Sequence, residues 1–270
     1  MLKKLTAMGS ALALSLSVAA NVQAAVSAQE AAKLGKSLTP FGADVKGNGK
    51  AVSTGLGIPD WTGGIQKKDI PKEYTRPGQH HPDPFKNDKV VFTITAQNLS
   101  QYADKVPEGV QGMLKTYPDT FKLNVYPSRR STSAPQWVYD NTKSNATKAS
   151  LAETGVNNAF GGIPFPILSG SNEDKALQAI WNHILRYRGE EISLRSASAT
   201  PQRDGSYNPV VNDYDYFIAY SQRGAELAEI DNKIFYLKTD TVSPSSLAGT
   251  ITLVHETLDQ VRSPRLAWRY

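Results

Sequence analysis

The chain has four histidines, His80, His81, His183 and His255, and imidazole is the side chain best suited to ligating metals or moving protons near neutral pH. His80 and His81 stand beside Asp83 among prolines, without the i, i+4 spacing that sets two ligands on one helix face. Neighbours in an extended segment point to opposite sides, so no metal site is expected there. His255 and Glu256 read as consecutive strand residues and face apart, which removes a dyad acting on one substrate. Glu256 is instead expected to pair with Arg262 or Arg269. No G-x-S-x-G elbow occurs, and the S-x-x-K match that starts at Ser53 fails at its lysine position. Cysteine is absent, which removes thiolate ligands, a cysteine nucleophile and disulfides together. The glycines of GNGKAVSTGLG lack the spacing of a phosphate-binding loop. Glu173-Asp174 and Glu190-Glu191 sit at element ends, where dipole and solvation account for them. These patterns assign no catalytic residue, metal or cofactor. Arg129 and Arg130 in YPSRRST are the anion-binding candidates, because two guanidiniums in a polar loop can hold a phosphate or carboxylate. Structural bonding of the same arginines to loop carbonyls and acids is the competing use.

Any such residues must be positioned by the elements around them. Ser27-Ala28-Gln29-Glu30 is a capping box opening a short helix over 28–34, which Gly35 stops. Residues 36–84 are broken by eight glycines and six prolines and read as an extended strap, with Phe41, Ile58, Trp61 and Ile65 as single apolar anchors. KVVFTIT predicts a strand over 89–95, Asn98 a capped helix to about residue 106, and Pro107 the start of another that Pro118 stops. FKLNVYP reads as a second strand and 135–151 as a helix. GGIPFPI, from Gly161 to Ile167, cannot be regular structure, and its glycines and apolar residues suit a hinged lid. Residues 172–188 predict a helix with Leu177, Ile180, Trp181, Ile184 and Leu185 at i, i+3, i+4, i+7 and i+8, a stripe expected to face the core. The period then becomes two through EISLRSASAT, a turn at Asp204-Gly205, SYNPVVNDYDYFIAYS, KIFYLKTDTV and GTITLVHETL. This predicts an α+β fold, a twisted antiparallel sheet with helices against one face.

Lys3 and Lys4, an apolar run over 5–18 and Val22-Gln23-Ala24 form a secretory leader, cleaved after Ala24. The run is too short to span a bilayer. The mature chain would carry 28 basic and 25 acidic residues, a net charge of +3, and its basic residues are scattered in pairs. Nucleic-acid binding is therefore not expected. The expected organisation is a leader over 1–24, a short helix and strap over 25–88, and an α+β domain over 89–270. SPRLAWRY stops inside what reads as a strand, so the sequence is expected to be C-terminally incomplete.

YPDTFKLNVYPSRRSTSAPQWVYDNTKSNAT, GGIPFPI, AIWNHILRYRG and LVHETLDQVRSPRLAWRY, in that order, resemble a proteobacterial periplasmic family, domain of unknown function 1329. That family is usually grouped with the outer-membrane lipoprotein-sorting, LolA/LolB-like superfamily. The resemblance implies a curved antiparallel half-barrel packed on helices around an apolar cavity, with no catalytic residues. It also implies a hydrophobic ligand or lipid as cargo, with an inner-membrane exporter of the resistance-nodulation-division type and an outer-membrane protein as partners. Trp181, Ile184 and Leu185, Phe165 of GGIPFPI, and Tyr216, Ile218, Phe235 and Leu253 on strands are the residues expected to line the cavity, though the same side chains would equally fill a core. The function expected is a periplasmic carrier of a hydrophobic ligand. An adaptor bridging an exporter and the outer membrane is the alternative.

Overall fold

A computed structural model describes residues 25–76, 78–230 and 232–270; the leader expected over 1–24 lies outside them. Helix α1 (Ala28–Ala31) is capped as its sequence requires, the Ser27 hydroxyl accepting from the Glu30 amide at 3.2 Å. The strap that follows is ordered by polar side chains that replace a ladder. The Asn48 amide accepts from Ile58 N at 2.9 Å and donates to Leu56 O at 2.9 Å, while the Asp60 carboxylate accepts from Gly47 N at 2.8 Å. Three of its four expected anchors are half-buried. Phe41 packs edge-on against Tyr139 at 5.2 Å, Trp61 donates to Thr132 O at 3.3 Å, and Ile65 donates its amide to Ser131 O at 2.9 Å. Ile58 is 47 % exposed, because its backbone is taken up by Asn48 and its side chain turns outward.

Strands β1 (Phe92–Ile94) and β2 (Leu123–Val125) pair antiparallel and, with α2 (Glu108–Thr116), enclose a small core of Ile94, Leu99, Val106 and Leu114. The helix expected from Asn98 is two 3-10 turns, Leu99–Gln101 and Ala103–Lys105. The Asn98 amide is spent on Thr93 O and Thr95 N, at 3.0 and 2.8 Å, and leaves the turn after it uncapped.

Helix α3 (Gln136–Ala146), a two-residue hairpin of β3 (Ser150–Leu151) and β4 (Val156–Asn157), and α4 (Asn172–Ile184) lead to the sheet. Its strands are β5 (Glu191–Pro201), β6 (Tyr207–Phe217), β7 (Lys233–Ser243), β8 (Ile251–Thr257) and β9 (Leu266–Arg269), paired antiparallel in sequence order. Gly205 takes φ +83° in the β5–β6 hairpin, and a four-residue helix α5 (Leu227–Ile230) precedes β7. The fold is α+β with an open sheet whose edges are β5 and β9, not a closed barrel.

The residues of GGIPFPI form the buried centre of the molecule rather than a hinged lid. Gly161, Gly162, Pro164, Phe165 and Pro166 are buried. The Asn145 side chain on α3 donates toward the carbonyls of Phe160, Ile163 and Gly162 at 3.1, 3.3 and 3.4 Å and accepts from Phe160 N. The Thr142 hydroxyl accepts from Ile163 N at 3.1 Å. Tyr220, 1 % exposed, donates to Gly162 O at 2.7 Å, and its own carbonyl accepts from Gly161 N. Burial pushes the pKa of its hydroxyl up, so the proton stays in place for that bond. A segment with every neighbouring element bonded to its backbone does not hinge.

Helix α4 docks by its polar side, against the expectation that its apolar stripe faces the core. Leu177, Ile180 and Ile184 are exposed, Trp181 is half-buried and Leu185, just past the helix, is buried. The buried position is Gln178, whose amide brackets Ser169 N and O at 3.0 and 3.1 Å; one turn later Asn182 brackets Phe165 N and O at 2.9 and 2.7 Å. The unsatisfied backbone of 165–169 outcompetes the apolar stripe for the contact face, since buried polar groups left unpaired cost about 1–3 kcal/mol each. Replacing Asn182 by Leu is expected to destabilise the protein by about 2–4 kcal/mol, through two orphaned backbone groups, whereas Ile180→Ser stays within about 0.5 kcal/mol. Urea unfolding of the two variants measures both; the opposite ranking would return the stripe to the core.

Candidate functional site

Strand alternation gives the sheet two unlike faces. Cross-strand register sets Phe217 opposite Tyr236 and Tyr236 opposite His255. These form a row with successive ring centroids 6.2 and 4.6 Å apart, extended by Trp268 at 4.8 Å from His255. Phe217 is 41 % and Trp268 38 % exposed. The rings are tilted or edge-to-face, the arrangements that aromatic quadrupoles favour, and so hold one another without a helix over them. Phe217, Tyr236 and His255, together with Leu253, Ser193 and the flanking Glu191, Asp215 and Lys238, line a shallow open groove of about 390 Å³.

The other half of this face is charged and partly paired. Arg195 forks onto Asp213 with contacts of 2.6 and 2.7 Å, Ser193 donates to Asp215 at 2.7 Å, and Lys238 meets Asp240 at 2.7 Å. The Arg195 hydrogen bond holds the Asp213 carboxyl below its ordinary range, and the bond to Asp240 raises the Lys238 ammonium. These groups are exposed, so their pairing sets register and solubility more than stability. The groove therefore offers an apolar floor of rings with a charged rim.

The expected cavity residues divide between three places. Leu253 lies in the groove, and Tyr216 contributes to its wall, although the Tyr216 ring turns to the opposite face, stacking with Tyr214 and meeting Phe235 edge-on at 5.5 Å. Phe165, Leu185 and Ile218 are buried, Phe165 and Leu185 in the main core cluster, with Trp181 and Phe235 packed against that cluster. Ile184 is exposed on α4. Phe217, Tyr236, His255 and Trp268 were not among the expected residues. Their alternation along each strand is visible in the sequence, but which odd or even set aligns across strands is fixed by register. Glu256, on the face opposite His255 as expected, pairs with Arg265 at 3.1 Å instead of Arg262 or Arg269.

Arg129 and Arg130 hold the chain to itself. Arg130 donates to the carbonyls of Asp44 and Val45 at 2.6 and 3.0 Å and lies near that of Pro59, tying down the strap. Arg129 binds the Asp88 carboxylate and lies over the Phe85 ring at 4.9 Å. Among the described residues no group of three or more metal-ligating side chains converges, and no helix is long and apolar enough to cross a membrane.

The sequence profile of a family described as a protein of unknown function, DUF1329, matches residues 93–270. The chain belongs to this family. The matched part of this DUF1329 protein contains the whole five-stranded sheet and both helices that clamp 160–169. An uncharacterized protein of Pseudomonas aeruginosa, PA3922, is 42 % identical over 266 residues, which cover 96 % of this chain and 54 % of that relative. The DUF1329 chain thus spans about half the length of the curated relative it matches. No solved structure matches it.

If Arg130 serves the strap, Arg130→Gln leaves strap carbonyls without their donors. Limited proteolysis is then expected to cut within residues 44–65 roughly tenfold faster than in the wild type, at unchanged circular dichroism. Equal cleavage rates would show that the strap is held without it.

Proposed function

We propose that this protein is a periplasmic carrier or binding protein for a lipid or other hydrophobic ligand, acting with envelope transport machinery and making no covalent bond to its cargo. The observation that carries this reading is the uncovered row Phe217, Tyr236, His255 and Trp268 on the open sheet. Rings at the surface of a water-soluble fold are costly unless an apolar partner covers them, and an open groove floored by rings suits reversible uptake. The leader read over residues 1–24 supports an exported protein, and the likeness to the LolA/LolB-like superfamily, with its curved half-barrel, supports an apolar cargo.

Native mass spectrometry with organic extraction, on protein purified from the periplasm, is expected to show a bound lipid near one per chain. Tyr236→Ser and Trp268→Ser are each expected to weaken rebinding about five- to tenfold, the equivalent of roughly 1 kcal/mol per ring. A clean apo mass with no uptake of a fluorescent fatty acid would sink the carrier.

A second reading, an adaptor between an inner-membrane exporter and the outer membrane, draws on α4. Leu177, Ile180 and Ile184 present an apolar stripe 38–59 % exposed beside Leu168. Charge substitution at Ile180 that abolished capture of an exporter, with lipid uptake intact, would favour it.

A further inference from the structure

A second apolar site, sharing no residue with the sheet groove, lies in the small unit built by β1, β2 and α2. Phe92, Ile94, Leu123 and Val125 of the β1–β2 pair form one wall of a pocket of about 240 Å³. Tyr102, stacked on Phe92 at 5.0 Å with the rings 10° from parallel, and Val110 of α2 form the other. The strap closes a third side through Gly55 and Leu56. Gly55 has φ +70°, and a Cβ there would come within 2.8 Å of Val125 and 2.9 Å of Phe92, so only glycine lets the strap approach this closely. The turn that carries Tyr102 is fastened to α2 by the Gln111 amide, which donates to Ala103 O and Val106 O at 2.9 and 2.8 Å. The pocket is thus built from four separate stretches of chain and fixed on each side.

Its chemistry is one-sided. Of the residues that line it, Lys105 alone is charged, and the five side chains Phe92, Tyr102, Val110, Leu123 and Val125 remain half-buried around the void rather than closing it. The volume exceeds the roughly 150 Å³ of an apolar cavity that takes up benzene, so a ring with a short tail or a short acyl chain fits. The Lys105 ammonium is held by Asp104 at 2.7 and 2.8 Å, a pair of exposed neighbours whose mutual attraction is weak and readily exchanged for another anion.

We propose that this pocket binds a small anionic amphiphile, with an acyl chain or aromatic ring among Phe92, Val110, Leu123 and Val125 and a carboxylate at Lys105. This goes beyond the carrier reading, because it places a ligand site outside the sheet and specifies its charge.

Methyl-labelled protein titrated with octanoate, octanol and octylamine tests it by nuclear magnetic resonance. Saturable shifts are expected at the Ile94, Val110, Leu123 and Val125 methyls, with octanoate binding roughly threefold or more tighter than octylamine. Lys105→Glu, a surface change, is expected to reverse that order. Val110→Trp is expected to fill the pocket and abolish the shifts at the remaining methyls. Absence of saturable shifts at these methyls with any of the three probes overturns the site, as does an order that Lys105→Glu leaves unchanged. Shifts confined to Leu253 and Leu266 would overturn this site while leaving the carrier reading standing. Shifts here, with none on the sheet and no lipid extracted, would do the reverse.

Discussion

Everything around residues 160–169 is arranged by the need to satisfy a backbone that cannot satisfy itself. Two prolines and two glycines keep this segment out of helix and sheet, yet it is buried, so its amides and carbonyls need partners from elsewhere. Those partners come from α3 through Thr142 and Asn145, from α4 through Gln178 and Asn182, and from the end of the sheet through Tyr220. Each is a short polar side chain at a fixed place on a rigid element. The segment therefore sets the distance and orientation of two helices and one sheet at once. The apolar cluster of Ala149, Ala159, Phe165, Leu185, Tyr220 and Ile234 forms in the space these bonds define.

That arrangement leaves the sheet unusually bare. Because α4 spends its buried side on amide bonds to 165–169, only Trp181 and Leu185 of its apolar stripe join the core, and Leu177, Ile180 and Ile184 stay exposed. Strand β5 is exposed along almost its whole length, and the rings of β6 to β9 find one another across the register instead of finding a helix. A ladder of mutually packed rings gives the face internal order while leaving area free for an apolar partner. Near it, the Arg195–Asp213 fork and the Lys238–Asp240 pair neutralise charge within the sheet.

Local signals in the sequence translate well into elements. The meander of five strands, the Asp204-Gly205 hairpin, the Ser27 cap and the helix stopped before Pro118 follow from short-range propensity and turn chemistry. What periodicity misjudged is instructive. The stripe from Leu177 to Ile184 has the spacing of a core face, and pattern counting has no means of weighing Gln178 and Asn182 against it, because their value lies in orphaned groups nine and seventeen residues upstream. GGIPFPI reads as mobile for the same reason: its glycines permit motion, and only the tertiary partners remove it. The aromatic row was hidden in register, and the partners of Arg130 in strap carbonyls more than eighty residues upstream.

Gly42 lies so close to Pro166 that a Cβ would overlap the Pro166 carbonyl oxygen, and Arg130 grips the strap at Asp44 and Val45. Both contacts join early residues to residues made much later. As the chain is synthesised from its N-terminus, the strap has no docking surface until roughly seventy to a hundred and twenty further residues have emerged. The strap is thus made well before it can be fastened. It remains an open thread through most of biogenesis, available to whatever handles an unfolded chain, and its sealing marks completion of the centre beneath it.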